Sequence, residues 1–515
     1  MASPGGRRSA SPRVLLINPP QRFFPGSRGF ELYFPLGLLS LAAAVRDICQ
    51  VRILDCLADD STRRREGSVV HGTPPERIAA LVSDFQPDII GVSVPFSAQS
   101  ESAVAVSRLC RRTAPEAVIL FGGPDPSVRY EYFLKDGCCD YCVVGEGEGA
   151  LREFIGRFKD GRPLEGVAGV ASFDGQAALH TPRTHAALDE LPLPAYDLID
   201  VEGYLGRGDL YAGRSRIGRA SMSMVTSRGC PHRCVFCSIQ LHMGREFRGH
   251  SPEYVIRHLR HLRDHYGITD IHFEDDNISL DRNRFERILD AMIAEGLGIR
   301  WDAPNGMRLD HLNDGLLAKM QRSGCVELTI AIESADAEVR DRIIGKDLSL
   351  ESLPRIAETC RRLGIRLSAF YIIGLPGETI RTMQQTIDMA LSLLHSADIL
   401  PYLDVATPLY GTKLHADCMA KGLIRSSLND EDLSCAAQAA GRPLIATEDF
   451  SIQDVQDLLA GYRARLRTAW MMYAVRHPVY GAGRILDKGG AVLRRLREHC
   501  RGRGRESAAP GRAAR

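Results

Sequence analysis

The 515-residue chain has no long hydrophobic run. No apolar stretch reaches the roughly eighteen residues that a membrane-spanning helix needs, so no membrane span is expected. It also lacks an excess of charge of either sign: 65 Lys and Arg stand against 64 Asp and Glu. That balance disfavours a nucleic-acid partner. Arginines do crowd the two ends, at Arg7, Arg8 and Arg13 and again at Arg501, Arg503, Arg505, Arg512 and Arg515. No aromatic residues interleave with them as a base-stacking platform requires, and residues 1–12 and 496–515 read as solvated, disordered tails. The apolar part of the opening MASPGGRRSASPRVLLINPP is too short for a secretory signal, which leaves the cytoplasm as the expected location.

Two phosphate-binding fingerprints are missing as well. The first strand runs into Asn18-Pro19-Pro20 and not into GxGxxG, so a nicotinamide cofactor is not expected, and no GxxxxGKS loop occurs. The 14 cysteines do not form a secreted disulfide framework, because such frameworks are small and loop-rich and this chain is long and regularly patterned. Cys138, Cys139 and Cys142 cluster in sequence, but Cys142 lies in the apolar run YCVV and reads as a buried thiol, not a metal ligand.

What is present is a repeated α/β pattern. At roughly 100–200 residues per domain the length allows three or four domains. Over 13–160, short apolar strands alternate with helical periodicity, which predicts a doubly wound parallel sheet covered on both faces. Glycine turns at Gly122-Gly123 and Gly145–Gly147 follow two of these strands, where such folds bind ligands. On the residues alone this domain either holds a large ligand or is structural. Residues 161–215 read as a connector. Strand candidates at 222–226, 270–273, 299–302, 326–332, 367–373 and 399–405 alternate with helices and predict a partial (β/α)6 barrel over 216–420. A mainly helical module, 421–495, is expected to close the barrel mouth. Its Tyr462 and Trp470 are substrate-side candidates, although aromatics at helical spacing are commonly core.

The chemistry concentrates just after the first barrel strand, in TSRGCPHRCVFC. Cys230, Cys234 and Cys237 have CxxxCxxC spacing. Three thiolates on one tight loop hold three irons of a cubane and leave the fourth open. No further cysteine occurs between Cys237 and Cys325 to close the site, whereas His232 and His242 leave a zinc site as an alternative. Phe236 stands directly before the third ligand and shields or packs the loop.

This segment resembles the signature of the radical S-adenosylmethionine superfamily. The resemblance implies one four-iron four-sulfur cluster whose open iron binds the methionine moiety of S-adenosylmethionine. It also implies an external electron donor such as flavodoxin or ferredoxin, and cleavage to a 5'-deoxyadenosyl radical. Further segments carry the same resemblance. His272–Asn277 stands where the family contacts the methionine amino group, with Asp275 and Asp276 as candidates; an acidic helix cap is the plainer reading. Arg308 is the candidate for the methionine carboxylate. Glu333 and Ser334 are candidates for the ribose or amino group. Ile373 opens the segment IGLPGET near the adenine, and Pro408 lies in the closing pattern TPLYGT.

The first domain resembles the cobalamin-binding domain fused to many radical enzymes. The resemblance rests on Pro19, on Ser93, Pro95, Phe96 and Ser97, on Gly122 and Gly123, and on Gly145, Glu146 and Gly147. The Asp-x-His-x-x-Gly segment that brings a histidine to cobalt in other cobalamin proteins is absent. The implied cofactor is therefore cobalamin, as methylcobalamin, base-off and without a histidine ligand, with Pro95 and Phe96 making an apolar lower face. The whole chain resembles the cobalamin-dependent class B radical methylases. The expected activity is transfer of a methyl group to an unactivated, sp3 carbon of a small natural-product, lipid-like or carrier-bound substrate. A cyclase, oxidase or ring-rearranging enzyme with the same cofactors is the alternative, and a non-enzymatic iron–sulfur or cobalamin carrier is the third.

Overall fold

The computed structural model describes residues 11–477 apart from 26, 28–31, 66, 183–184, 186, 207–219, 426 and 437–440. The expected tails, but for residues 11 and 12, the arginine-bearing stretch before the barrel, and the end of the C-terminal module lie outside the described residues.

Five short aliphatic strands form the parallel part of the first sheet: β1 (Arg13–Asn18), β2 (Gln50–Asp55), β3 (Ile89–Ser93), β4 (Val118–Gly122) and β5 (Tyr141–Val143). Along β1 the side chains alternate between two cores: Leu15 and Ile17 enter one, Val14 and Leu16 the other. Both faces are thus covered, by α1 (Leu36–Val45), α2 (Pro75–Phe85), α3 (Ser100–Thr113), α4 (Pro124–Lys135) and α5 (Glu148–Asp160). The order β2-β1-β3-β4-β5 changes direction between β1 and β3. That switch point leaves a crevice beyond the strand ends, the usual ligand position in open α/β sheets.

Two features here differ from the expectation. The sheet does not end at 160: β6 (Val170–Phe173) pairs antiparallel with β5, and β7 (Ala178–His180) with β6, so part of the expected connector belongs to the first domain. A small antiparallel sheet of Gln21–Phe23, Ser68–His71 and Thr62–Arg65 also leaves the main sheet. Its charged segment Thr62–Arg65 carries no alternating hydrophobic signal.

The second region opens with β8 (Ser221–Met224) and a two-residue ribbon, β9 (Ser227–Arg228) against β10 (Arg248–Gly249). The strands β11 (Asp270–Phe273), β12 (Arg300–Met307), β13 (Cys325–Glu333), β14 (Arg366–Ile373) and β15 (Leu400–Val405) follow. With β8 they make a six-stranded, all-parallel sheet in sequence order, the expected partial barrel. Its outer layer is α6 (Pro252–Tyr266), α7 (Arg282–Ala294), α8 (Asp314–Arg322), α9 (Leu353–Leu363) and α10 (Ile380–Ser396). Met222, Met224, Ile271, Phe273 and Trp301 point to those helices and share one core. The alternate residues are polar and paired: His272 Nδ1 lies 2.8 Å from Asp302 Oδ1, and Thr329 Oγ1 2.8 Å from Ser368 Oγ.

The C-terminal part holds α11 (Lys413–Ala420), α12 (Asp430–Ala436) and α13 (Ile452–Arg476). The long α13 packs along α10. Tyr462 is buried with Ile373, Val405 and Leu459. Trp470 packs beside Tyr473, Leu394 and Leu400. Both aromatics, expected on the substrate side, pack in the last strand–helix layer: α13 buries its i, i+4, i+7 stripe of Val455, Leu459 and Tyr462 there, and Trp470 is partly buried farther along the helix. No helix of the described residues is long and apolar enough to cross a membrane.

Candidate active site

The cysteine loop is closed at its neck by the β9–β10 ribbon. Gly229, at φ +84°, allows the chain to pass Glu246, whose carbonyl a Cβ would overlap. Cys230 N–H donates to Gly244 O at 3.3 Å. Farther along, Val235 N–H donates to Ile344 O at 3.0 Å, and Val235 O accepts from Leu414 N–H at 2.9 Å. Cys234, Val235 and Phe236 pack against the core containing Ile373 and Leu414, so Phe236 anchors the loop. The three thiols are free and half-buried and feel one another's charge. Burial pushes all three upward, Cys237 to about 12. As free groups they are protonated, and soft cations must displace those protons on binding. The His232 N–H and the Asn277 amide pull the Cys230 thiol the other way, toward the thiolate, and the Ile239 N–H does the same for Cys237. The donor set fits an iron–sulfur cluster. A cubane spreads three thiolates over three irons, and among the described residues no three His, Cys, Asp or Glu side chains converge on a single ion, whether at Cys230, Cys234 and Cys237 or at Cys138, Cys139 and Cys142. The latter three are buried in the first-domain core, with Cys139 Sγ 3.6 Å from Cys142 Sγ.

The two adjacent aspartates after β11 have different surroundings. Asp275 is fully enclosed and accepts from Thr226 N–H, Thr226 Oγ1–H (2.7 Å) and Ser227 Oγ–H, so it fixes the approach to the cysteine loop. Asp276 is half-buried and faces the cluster loop, where its charge reaches Cys230 and Cys237. Burial and the neighbouring Asp275 push the Asp276 carboxyl up to about 7.

Arg308 is held by Asp310 (Nε to Oδ1, 3.0 Å; Nη2 to Oδ2, 2.7 Å) and by the carbonyls of Lys346 and Asp347, both at 2.8 Å. Four of its donor contacts thus stay within the protein. Glu333 is buried at the end of β13, with φ +68°, and accepts from Lys346 Nζ at 2.6 Å. The charge of Lys346 reaches Cys234. Sequence reasoning missed Lys346; its only signal is a lysine between the apolar Ile343-Ile344 and Leu348. Ser334 is buried and bonded to Asp336 N–H and Thr386 Oγ1, both at 3.2 Å. Ile373 is buried as the last residue of β14, and Pro408 is buried beyond β15. In the segment between them, Glu378 Oε2 accepts from Leu375 N–H at 2.8 Å, and burial pushes this carboxyl up to about 7.

On the first-domain side, Pro19 is buried and Ser93 half-buried at the two strands flanking the switch point. Pro95 is half-buried and Phe96 is 51% exposed. An open apolar side chain at this crevice fits the face of a bulky macrocycle. Ser97 instead turns inward and donates to Asp125 Oδ1 at 2.6 Å, beside Arg129. The glycines have protein reasons as well. A Cβ on Gly123, at φ +110°, would lie 3.0 Å from Val94 O, and one on Gly147 would lie 2.8 Å from Leu41 Cδ2. Gly122 meets nothing nearer than Val143 at 3.7 Å, which leaves space over the strand end. Gly145 has φ +79°, and a Cβ there would meet the carbonyl of His242 in the cysteine loop at 3.4 Å. Glu146 is occupied by Arg228 and Arg248 at the loop neck.

The fold and site together define a cofactor-dependent α/β enzyme with two neighbouring cofactor regions. Residues 224–390 match the family model described as the Radical SAM superfamily, and residues 30–155 match the B12 binding domain. An uncharacterized methyltransferase of Pyrococcus horikoshii is 32% identical over 419 residues, covering 80% of this chain and 84% of that protein. The cytidylyl-2-hydroxyethylphosphonate methyltransferase of Streptomyces wedmorensis is 29% identical over 451 residues, covering 80% of this chain and 82% of that one. Among solved structures, the radical S-adenosylmethionine methyltransferase TsrM of Kitasatospora setae shares the fold, with TM-score 0.64, 18% identity, and coverage of 81% of this chain and 79% of that chain. The chain belongs to the cobalamin-binding branch of the radical S-adenosylmethionine superfamily. It is an enzyme of a group rich in methyltransferases.

Proposed function

We propose that this enzyme transfers a methyl group to an unactivated carbon of a small organic or carrier-bound substrate. The observation that carries the reading is the direct contact of the two cofactor regions: Glu146, in the expected cobalamin turn, accepts from Arg228 at 2.8 Å and from Arg248 at 3.2 Å at the neck of the cysteine loop. Bound there, the cluster would supply the electron that cleaves S-adenosylmethionine, and methylcobalamin the methyl group. Cys230, Cys234 and Cys237 hold the cluster. Asp276 takes the methionine ammonium. Lys346, paired with Glu333 and close to Cys234, takes the carboxylate in preference to Arg308, which has four of its N–H groups engaged within the protein. Pro95 and Phe96 present an apolar face and no nitrogen donor to cobalt, which supports a base-off cofactor without histidine. An external one-electron donor completes the system.

The test is anaerobic turnover of the reconstituted enzyme with candidate substrates. Methylation yields a product heavier by one CH2 unit, together with 5'-deoxyadenosine and S-adenosylhomocysteine. Deoxyadenosine with a rearranged product and no mass gain would replace the reading by ring formation or oxidation. A nitrogen splitting from histidine in the cob(II)alamin electron paramagnetic resonance spectrum would overturn the ligand-free cobalt face.

A further inference from the structure

Arg228 and Arg248 stand directly opposite each other in the β9–β10 ribbon. Like charges at facing positions of a ribbon repel. Here they are both largely buried, each side chain 14% exposed. The countercharge comes from the other domain. Glu146 lies between the two guanidinium groups: its Oε2 accepts from Arg228 Nη1 at 2.8 Å and from Arg248 Nη1 at 3.2 Å, and its Oε1 accepts from Arg248 Nη2. Glu148 Oε1 accepts from Arg228 Nη2 at 2.6 Å and from Ser40 Oγ–H at 2.7 Å. Two positive and two negative charges are thus enclosed together, with the bidentate contacts that arginine favours.

The position of this cluster gives it a role. Its arginines form the neck of the loop that carries all three cysteines, and Arg228 is two residues before Cys230. Its carboxylates flank Gly147 between β5 and α5, in the expected cobalamin turn and at the first residue of the helix. No other charged cluster among the hydrogen bonds of the described residues joins the cysteine-loop neck to that turn. A buried ion cluster is weak as net stabilisation, because desolvation offsets the Coulomb attraction. It is strong as a register device, because any other placement strands a charge. We propose that Arg228, Arg248, Glu146 and Glu148 form a positioning clamp that sets the separation of the two cofactors. Glu146 is then a fixing group between domains and not a cobalamin contact.

The clamp acts on geometry, so it rests on the two family cofactors and not on which bond the substrate forms. Other contacts keep the domains docked without it: the Arg129 guanidinium lies 4.4 Å from the Tyr410 ring centroid, and Asp430 accepts from Glu101 N–H at 2.9 Å. The experiment uses the full chain loaded with cluster and cobalamin, and reads the cobalt–cluster distance by pulsed dipolar electron paramagnetic resonance with cob(II)alamin and the reduced cluster as spins. Wild type should give one narrow distance. Arg228→Ala and Glu146→Gln, each retaining both cofactors, should give a broadened distribution, and Arg228→Lys an intermediate one. With a substrate, product formed per deoxyadenosine should fall by on the order of tenfold to a hundredfold, the effect of a displacement near 1 Å at the reacting atoms. If Arg228→Ala fails to fold, Glu146→Gln and Arg228→Lys decide. A distribution as narrow as wild type in any variant that lacks the bidentate contacts overturns the clamp. A broadened distribution in an enzyme that releases no methylated product upholds the clamp and sinks the methylation reading alone.

Discussion

Lys346 Nζ donates to Glu333 Oε1 at 2.6 Å, and Glu333 receives it from a left-handed backbone position, φ +68°. A non-glycine residue in that region costs on the order of 1–3 kcal/mol, and such positions cluster at ligand-binding sites. The strain places the carboxylate at the carboxyl end of β13, where a residue in extended conformation would point elsewhere.

Removing one partner of this buried pair leaves an uncompensated charge. Lys346→Met should destabilise the enzyme by about 3–5 kcal/mol, seen as a lower denaturant midpoint. Glu333→Gln retains an acceptor for Lys346 and should cost less. If Lys346→Met binds S-adenosylmethionine as tightly as wild type, the carboxylate contact assigned to Lys346 is wrong.

The two aspartates after β11 should separate in their effects. Asp276→Asn removes a charge-assisted hydrogen bond to the ligand ammonium and should weaken S-adenosylmethionine binding about tenfold to a hundredfold with the fold intact. Asp275→Asn should instead lower stability, since Asp275 accepts from Thr226 and Ser227. Calorimetry and thermal melting read the two effects. Because burial and Asp275 push Asp276 up to about 7, its ionised form grows as pH rises. Affinity should therefore increase between about pH 6 and 7.5, before the ligand amino group itself loses its proton. Flat affinity over that range would remove Asp276 from the site.

Cys234→Ala should abolish cluster assembly and deoxyadenosine formation while leaving the secondary structure intact, because Cys234 sits at the edge of its core and not inside it. Iron and sulfide analysis with circular dichroism checks both halves. Normal deoxyadenosine output from this variant would remove the cluster assignment.

Glu148 gives a pH signature. Desolvation raises its pKa, but the charge and hydrogen bonds of Arg228, with Ser40, outweigh burial and hold it at about 2. The folded state then binds fewer protons than the unfolded chain between about pH 4.5 and 2, so stability rises with pH across that window. The stabilisation is fully present above it and lost as pH falls through it. Glu148→Gln should lower the urea midpoint at neutral pH, and its gap to wild type should narrow below about pH 4.5. A gap that stays constant to pH 3 would show that Glu148 acts without its charge.

Much of this was legible in the sequence, for identifiable reasons. The doubly wound sheet and barrel were readable because their strands are short apolar runs with helical periodicity between them. The cysteine loop was readable because three ligands lie within eight residues. The clamp was not, since Glu146 and Arg228 are 82 residues apart and only tertiary docking pairs them. The same holds for Lys346 and Glu333, joined by a β-bulge and a π-helical turn, Val339–Ile343, that local pattern does not signal. Arg308 illustrates the converse. Its position after β12 suggests a ligand contact, yet four of its N–H groups go to Asp310 and two carbonyls. Tyr462 and Trp470 were ambiguous from the start, because an aromatic on an apolar stripe has the same spacing whether it faces a substrate or a neighbouring helix.

The free cysteines of the described residues fall into two groups: the three of the cluster loop are half-buried, and the others are buried. A buried, protonated thiol is a poor nucleophile and a slow target for oxidants. Air should therefore attack this enzyme at one address. Damage would be confined to the detachable inorganic part and its three ligands, and protein exposed to oxygen should regain its chemistry once thiol reductant, iron and sulfide are supplied, with no refolding step.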